Sequence, residues 1–114
     1  MDSILKSIKE LLGINPDDTN FDTDCIFHIN TAIFELRQIG VGPQEEPFNI
    51  TGPDEKWEDY LEDEIEKLNA VKTFIYLKVK TLFDPPQGSA LEAFNKHMDE
   101  ILWRLSVEVD PGEQ

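Results

Sequence analysis

Cys25 and His28 lie three positions apart, the spacing of two metal ligands on one turn of helix. A closed structural zinc site needs four ligands, and the sequence adds His97 but no second cysteine. The Glu-x-x-His pattern of di-iron bundles is missing, because Cys25 and Phe94 stand three before the two histidines. We therefore predict no metal site and no cofactor. Cys25 is interpreted as a small apolar core residue and His28 as a partly buried one.

Patterns typical of catalysis or phosphate binding are also missing from the sequence. Residues 40–43 read Gly-Val-Gly-Pro, but they follow a predicted helix, contain no lysine, and end in a proline that removes a backbone donor. No potential nucleophile stands near a potential base. Carboxylates are so numerous that their spacing does not indicate acid–base catalysis. We expect no enzymatic activity and no catalytic residue.

The chain is strongly acidic, with 24 Asp and Glu residues against 10 Lys and Arg and a formal net charge of −14. This charge opposes contact with nucleic acid or with an anionic membrane. Ten of the acidic residues fall within residues 45–66, where Lys56 is the single basic residue. Two interpretations of that cluster remain open. It is a solvated face that keeps the protein soluble, or it is a surface that meets a basic partner or repels DNA.

Composition indicates one folded domain. Seven Phe, two Trp and two Tyr within a 39% hydrophobic composition favour a packed core over disorder, and 114 residues suffice for one such core. The sequence has no run of about 18 apolar residues, so we expect no membrane contact. It contains one cysteine, which cannot form an internal disulfide, so we expect a soluble intracellular protein. The predicted domain covers residues 1–106, and residues 107–114 are expected to form a mobile, strand-like tail.

Hydrophobic periodicity predicts an all-α fold, a bundle of four main helices with a long proline-containing acidic loop between helices 2 and 3. The predicted helices cover residues 2–12, 22–39, 62–83 and 89 onward. Asp22 is expected to cap the second helix, and Asp84-Pro85-Pro86 to end the third. Ser89 and Glu92 form the pattern of a capping box for the fourth. The third helix should carry one buried stripe made of Ile65, Leu68, Val71, Ile75, Val79 and Leu82.

Two features outside the helical stripes are candidates for contact with other proteins. Residues 41–56 form a loop longer than compact domains usually contain, and Phe48 and Ile50 point the same way if it is extended. This loop packs on its own domain or lies against a neighbour, and the first alternative is favoured. Trp103 falls beside the core stripe of the fourth helix. Two alternatives remain open for Trp103. Packing in the core or under a loop is favoured over contact with a partner.

Segments spread over nearly the whole chain carry a family likeness. They are IKELLGI (8–14), FDTD (21–24), HIN (28–30), QIGVG (38–42), WEDYL (57–61), VKTFIYLKVK (71–80), LFDPP (82–86) and WRL (103–105). Together they resemble the small helical head-to-tail connector proteins of tailed phages and prophages. The segments that end in LFDPP and WRL match best, and the acidic loop matches loosely.

The resemblance implies a structural protein without catalytic residues. In that family, a helical bundle assembles into a ring, commonly a dodecamer, below the portal and extends the DNA channel toward the tail. The implied partners are the portal protein, a tail-side connector or stopper protein, and further copies of the chain. The implied location is the virion, with the host cytoplasm during assembly. A free acidic binding protein, such as a DNA mimic that inhibits a nucleic-acid-binding enzyme, is the alternative.

The resemblance assigns no individual site residues, so the following hypotheses come from the sequence pattern alone. Predicted partner-binding residues are Phe48, Ile50, Trp103, Val107 and Val109. Acidic residues predicted to face the channel are Asp17, Asp18, Asp22, Asp24, Glu45, Glu46, Asp54 and Glu55. Because each copy carries −14, the free subunit is expected to remain a monomer in dilute buffer and not to bind DNA specifically.

Overall fold

A computed structural model describes the backbone of residues 2–109 and the side chains of residues 2–107. The helices are α1 (Ile4–Leu11), α2 (Asp22–Gln38), α3 (Trp57–Leu61), α4 (Leu68–Phe83) and α5 (Ser89–Val109), and a 3₁₀ segment (Glu62–Lys67) joins α3 to α4. An isolated antiparallel bridge connects Ser3 with Lys56. The predicted all-α fold with four main helices is thereby confirmed, and α3 is the short helix that returns the long loop.

Helix α4 is the centre of a thin slab whose principal extents are 46 × 36 × 20 Å. It packs against α2 and α5, and α1 contacts both α2 and α4. Asn69, Ala70 and Thr73 line a groove shared with α5. Lys78 forms a 2.9 Å ion pair with Glu35 of α2. Since each helical residue turns the direction by about 100°, these contacts place α2 and α5 on roughly opposite sides of α4.

The predicted apolar stripe of the third helix is correct except at Leu82, and Ile65 and Leu68 at its start pack against the core. Val71, Ile75 and Val79 are fully buried, whereas Leu82 is 45% exposed. Upstream, residues 62–67 form a 3₁₀ segment with a kink rather than the first turns of α4. Four of these six residues are acidic, and carboxylates three or four positions apart repel one another in α geometry. This repulsion is a physical reason for the interruption.

Two predicted helix caps are displaced by one residue. Asp22 is the first residue of α2, and Phe21 occupies the cap position without a side-chain bond. Ser89 is likewise the first residue of α5, where the N–H groups of Leu91 and Glu92 donate to the carbonyl of Gly88. A helix also continues through Val109, so the strand-like interpretation of residues 107–109 is wrong. The remainder of the predicted tail lies outside the described residues.

The long loop before α3 packs on its own domain, which was the favoured alternative. Ile50 is 2% exposed, and Asn30 of α2 holds its backbone from both sides. The Asn30 amide donates to the Ile50 carbonyl at 3.0 Å, and its side-chain oxygen accepts from the Ile50 N–H at 2.8 Å. Phe48 lies against Tyr60, with ring centroids 5.0 Å apart. The loop is therefore part of the core structure.

Trp57 connects α3 to the first and fourth helices. It is 1% exposed, and its indole N–H donates to the Ser7 hydroxyl at 3.1 Å. The ammonium group of Lys72 lies 5.9 Å from the centre of the Trp57 ring, within the range of a cation–π contact. A large aromatic residue with a satisfied donor thus fixes the start of α3 against the core.

Candidate functional site

Cys25 and His28 are not brought together with other metal ligands. Cys25 is fully buried in the core, and burial raises the pKa of its thiol. The ring of His28 lies edge-on to that of Phe27, with centroids 5.7 Å apart. Across the described residues, no group of three or more His, Cys, Asp and Glu side chains is arranged to hold a metal ion.

The outer face of α2 exposes two phenylalanines that the sequence hypotheses did not include. Phe27 is 69% exposed and Phe34 is 58% exposed. They lie seven residues apart, so both project from the same side of the helix, away from the buried Ile29 and Ile33. Their position between members of the isoleucine stripe was the signal that could have identified them. We call Phe27 and Phe34 the α2 face.

The outer face of α5 is a second exposed apolar surface. Trp103 is 67% exposed and Val107 is 52% exposed, four residues apart on one side of the helix. The favoured expectation that Trp103 packs in the core or under a loop is therefore wrong. Trp103 instead lines a shallow surface pocket with the charged residues Lys96, Asp99, Glu100 and Arg104. We call Trp103 and Val107 the α5 face; the Val109 side chain lies outside the described side chains.

A pocket of about 170 Å³ opens where the end of α3 meets the loop that follows α2. It is lined by Gly42, Pro43, Tyr60, Leu61, Glu62, Asp63 and Glu64. A second hollow of about 330 Å³ shares Pro43 and Glu62 with it and adds Gln44, Glu45 and Glu46. The two hollows therefore adjoin and form one surface with five carboxylates. We call this surface the acidic groove.

Gly42 and Tyr60 determine the geometry of the acidic groove. Gly42 has φ +88°, and a Cβ built on it would lie 2.6 Å from Cε1 of Tyr60. Its N–H donates to Glu64 at 2.9 Å, and the other oxygen of that carboxylate accepts from Lys67 at 3.1 Å. Glu62 adopts φ +47°, a conformation that is uncommon for a residue other than glycine. Backbone and side chains are thus tightly constrained here.

The phenol of Tyr60 is a buried polar group without a partner. The residue is 1% exposed, and its oxygen makes no hydrogen bond. Burial, together with the nearby charge of Glu64, raises the pKa of Tyr60 well above its ordinary value. The phenol therefore stays protonated at physiological pH. A buried hydroxyl without a hydrogen-bond partner lowers the stability of the fold.

Two of the acidic residues predicted to face a channel, Asp22 and Glu55, have internal partners. The buried ammonium group of Lys9 donates to Asp22 Oδ1 at 2.7 Å, to the Asp18 carbonyl at 2.6 Å and to the Pro16 carbonyl at 3.0 Å. We call this arrangement the Lys9 site. The carboxylate of Glu55 accepts from the backbone and hydroxyl of Thr51. Asp22 and Glu55 therefore stabilise the loops in which they lie.

Asp18 is half-buried, and its carboxylate accepts from the Asn20 N–H at 3.0 Å. The other acidic candidates are exposed and lie near the two ends of α2. Asp17 lines a hollow with Pro16, Asp22 and Pro53, which places it and the adjacent Asp54 near the N-terminal end of α2. Asp24 is exposed in the first turn of that helix. Glu45 and Glu46 are exposed near its C-terminal end, where the guanidinium group of Arg37 donates to the Gln44 carbonyl.

The predicted partner-binding residues divide in the same way. Trp103 and Val107 are exposed, as a contact with another protein requires. Ile50 is buried in its own domain and Phe48 is partly buried against Tyr60, so both stabilise the subunit. The Ile50 side chain is therefore not exposed for the partner contact that the sequence hypothesis gave it. Its alternation with Phe48 reflected packing on the core.

Comparison with known protein families identified a match. A family model described as "Phage connector protein" matches residues 4–112 of the chain. Neither the curated proteins nor the solved structures contained a match. Among the helices within residues 2–109, none combines the length and the apolar character needed to cross a membrane.

Proposed function

The chain belongs to the phage connector protein family, and we propose that its copies form a ring below the portal that extends the DNA channel toward the tail. Family membership gives the chain a structural role at the junction of phage head and tail, within the virion. The proposal adds the ring, its channel, and contacts with the portal on one side and a tail-side connector or stopper protein on the other. It also places the subunit in the host cytoplasm before assembly and assigns it no catalytic role.

The observation that carries this proposal is the pair of exposed apolar faces on α2 and α5, the helices that pack on roughly opposite sides of α4. The α2 face consists of two phenylalanines and the α5 face of a tryptophan and a valine, so a contact between them joins unlike surfaces of two copies. A contact between unlike surfaces repeats from copy to copy, and it closes into a ring when the rotation per copy divides a full turn. Exposed aromatic residues are also the type enriched at protein interfaces.

The charge distribution supports a subunit that assembles around DNA without holding it. Each copy carries −14, and the exposed Asp17, Asp24 and Asp54 gather near one end of α2. We propose that this end faces the channel, where like charge prevents passing DNA from adhering. The same charge keeps free copies apart at low ionic strength. Repulsion between copies then extends further than the screening length of about 8 Å at physiological salt.

Ring formation can be tested by breaking each face separately. The double variant Phe27→Ser/Phe34→Ser removes the α2 face, and Trp103→Ser removes the centre of the α5 face. Neither variant should form rings in negative-stain images with portal or at raised salt. A matched control, Leu11→Ser/Leu82→Ser, removes two other exposed apolar side chains, which are 48% and 45% exposed, and should still form rings.

Mixing the two face variants distinguishes a contact between unlike surfaces from any other kind. Each variant retains one intact face, so the mixture should form heterodimers and nothing larger, as measured by analytical ultracentrifugation. Wild-type rings together with no heterodimer in the mixture would show that the α2 and α5 faces do not meet. Equal loss of rings in the Leu11/Leu82 control would show that general hydrophobicity drives the association.

A further inference from the structure

The acidic groove carries features that a solvated face does not require. Tyr60 lines it with a phenol that has no hydrogen-bond partner, although the residue is 1% exposed. Gly42 is needed beside it, because any side chain there would overlap the Tyr60 ring. A merely solvated acidic patch would expose its carboxylates on an ordinary backbone. The acidic groove instead lies against Tyr60, whose buried hydroxyl makes no hydrogen bond.

The carboxylates of the groove are equally short of cations. Lys67 pairs with Glu64, and the ion pairs of the described residues include none with Glu45, Glu46, Glu62 or Asp63. The side chains of Glu45, Glu46, Glu62 and Asp63 are all exposed at the rim of the groove. The guanidinium group of Arg37 lies nearby, at the Gln44 carbonyl, but within the described residues it forms no ion pair with these carboxylates. Four negative charges around one opening outweigh it and attract a positively charged group.

We propose that the acidic groove binds an arginine side chain presented by a neighbouring protein of the junction. This inference rests on the proposed function for the identity of the neighbour, but not for the chemistry of the groove. A guanidinium group offers five N–H donors in one plane. It can donate to the exposed carboxylates of Glu62 and Asp63 at the rim, and to the phenol oxygen of Tyr60 once the groove wall that now closes this oxygen from solvent shifts.

The geometry favours an organic cation over a metal ion. Within the part of the chain that the structure describes, acidic side chains are not grouped as a metal would require. Both oxygens of Glu64 are already engaged, one by Gly42 and one by Lys67. Arginine is favoured over lysine because its planar group reaches several separated acceptors at once and loses its hydration more readily. The pocket volume of about 170 Å³ also accommodates a planar side-chain end.

The test uses the full chain as a monomer and the peptide acetyl-Gly-Arg-Gly-amide, with acetyl-Gly-Lys-Gly-amide as its comparison. Binding is followed by ¹H–¹⁵N NMR shifts of the Gly42, Asp63 and Glu64 amides. We expect millimolar binding, with the arginine peptide about threefold tighter than the lysine peptide. Glu62→Gln/Asp63→Asn should weaken arginine binding about tenfold. Tyr60→Phe should weaken it about threefold without loss of stability, since it removes a hydroxyl that has no partner.

Asp99→Asn/Glu100→Asn on α5 removes the same number of charges at a distant surface and should change the affinity less than twofold. Equal weakening by both pairs of substitutions would overturn the proposal, because binding would then follow net charge alone. Equal affinity for the two peptides, or shifts that bypass Gly42 and Asp63, would also overturn it. Rings that form normally while the peptide does not bind would leave the proposed function standing without the groove. Peptide binding by a chain that forms no rings would support the groove and contradict the proposed function.

Discussion

The Lys9 site and the acidic groove present the same problem with opposite outcomes. Each contains a polar side chain that is 1% exposed and surrounded by acidic residues. The ammonium group of Lys9 has three acceptors within 3.0 Å, which matches its three protons. The phenol of Tyr60 has no hydrogen-bond partner. The comparison indicates that the acidic residues of this chain serve two purposes.

At the Lys9 site, the acidic residue completes the fold. The ammonium group joins the turn after α1 to the first residue of α2, so residues 16–22 are held by one side chain. In the acidic groove, the carboxylates remain available to a ligand. A fully bonded buried charge is consistent with a structural role, and a buried hydroxyl left unbonded is consistent with a binding role.

The largest effect should come from Lys9→Met, which removes the cation and leaves Asp22 and two carbonyl groups without their donor. Removing one member of a buried pair commonly lowers the free energy of unfolding by about 3 kcal/mol. Urea unfolding followed by circular dichroism measures this. Lys6→Met, on the exposed side of the same helix, should change stability by less than about 0.5 kcal/mol. A Lys9→Met variant as stable as wild type would show that the Lys9 site contributes nothing to folding.

Gly42→Ala should have the next largest effect, a loss of about 2 kcal/mol. About half of it is the conformational cost of φ +88° for alanine, and the rest is the overlap with the Tyr60 ring. Gly13→Ala is a matched control, since Gly13 has φ +82° and open space around its Cβ position. It should lose about 1 kcal/mol. Equal losses in thermal or urea unfolding would show that Tyr60 does not crowd Gly42.

Tyr60 also predicts a loss of stability in alkali. Its pKa is raised in the folded state, so the unfolded chain loses the phenol proton first as pH rises. The free energy of unfolding should therefore fall above the ordinary tyrosine pKa of about 10, by up to about 1.4 kcal/mol per pH unit. Tyr60→Phe should lack this component. Superimposable stability curves for the two proteins between pH 9 and 11 would indicate that Tyr60 titrates freely.

The smallest effect is expected at Glu55. Its carboxylate is bonded by neutral donors, so it is intermediate between the fully paired Lys9 site and the unpaired carboxylates of the acidic groove. Burial acts to raise the pKa of Glu55, but the hydrogen bonds from Thr51 and Gly52 outweigh it and lower the pKa. The resulting stability is present above the ordinary glutamate pKa and disappears as pH falls through the lower folded value. Glu55→Gln should flatten that acid limb slightly. NMR titration of Glu55 in wild type and in Thr51→Ala measures the same linkage directly, and an unchanged pKa in Thr51→Ala would contradict it.

Much of this fold follows from spacing along the sequence. The isoleucine stripe of α2 and the Val71, Ile75 and Val79 stripe of α4 identify buried faces, because periodicity records which side of a helix avoids water. The 3₁₀ segment was missed because periodicity carries no information about repulsion between neighbouring carboxylates. Lys9 was also missed, although it lies one turn after the buried Leu5 and hence on the core side of α1.

The candidate surfaces were less predictable than the fold. Trp103 was identified as a residue beside its stripe, but sequence cannot tell whether a loop covers such a residue. Phe27 and Phe34 were overlooked because aromatic residues are expected inside. The acidic groove joins Gly42 to residues about twenty positions away, and this contact depends on how the long loop returns along α2. The Tyr60 hydroxyl can be identified as buried and without a partner only once its neighbours in space are known.

The contrasting environments of the two tryptophans give the protein two separate fluorescent reporters. Trp57 is 1% exposed, whereas Trp103 is 67% exposed. An indole in water emits at longer wavelength than one surrounded by apolar groups. In Trp103→Phe, the red shift of Trp57 emission follows unfolding of the subunit alone. In Trp57→Phe, provided that it folds, a blue shift of Trp103 emission follows burial of the α5 face. One optical measurement can thus time folding and assembly independently.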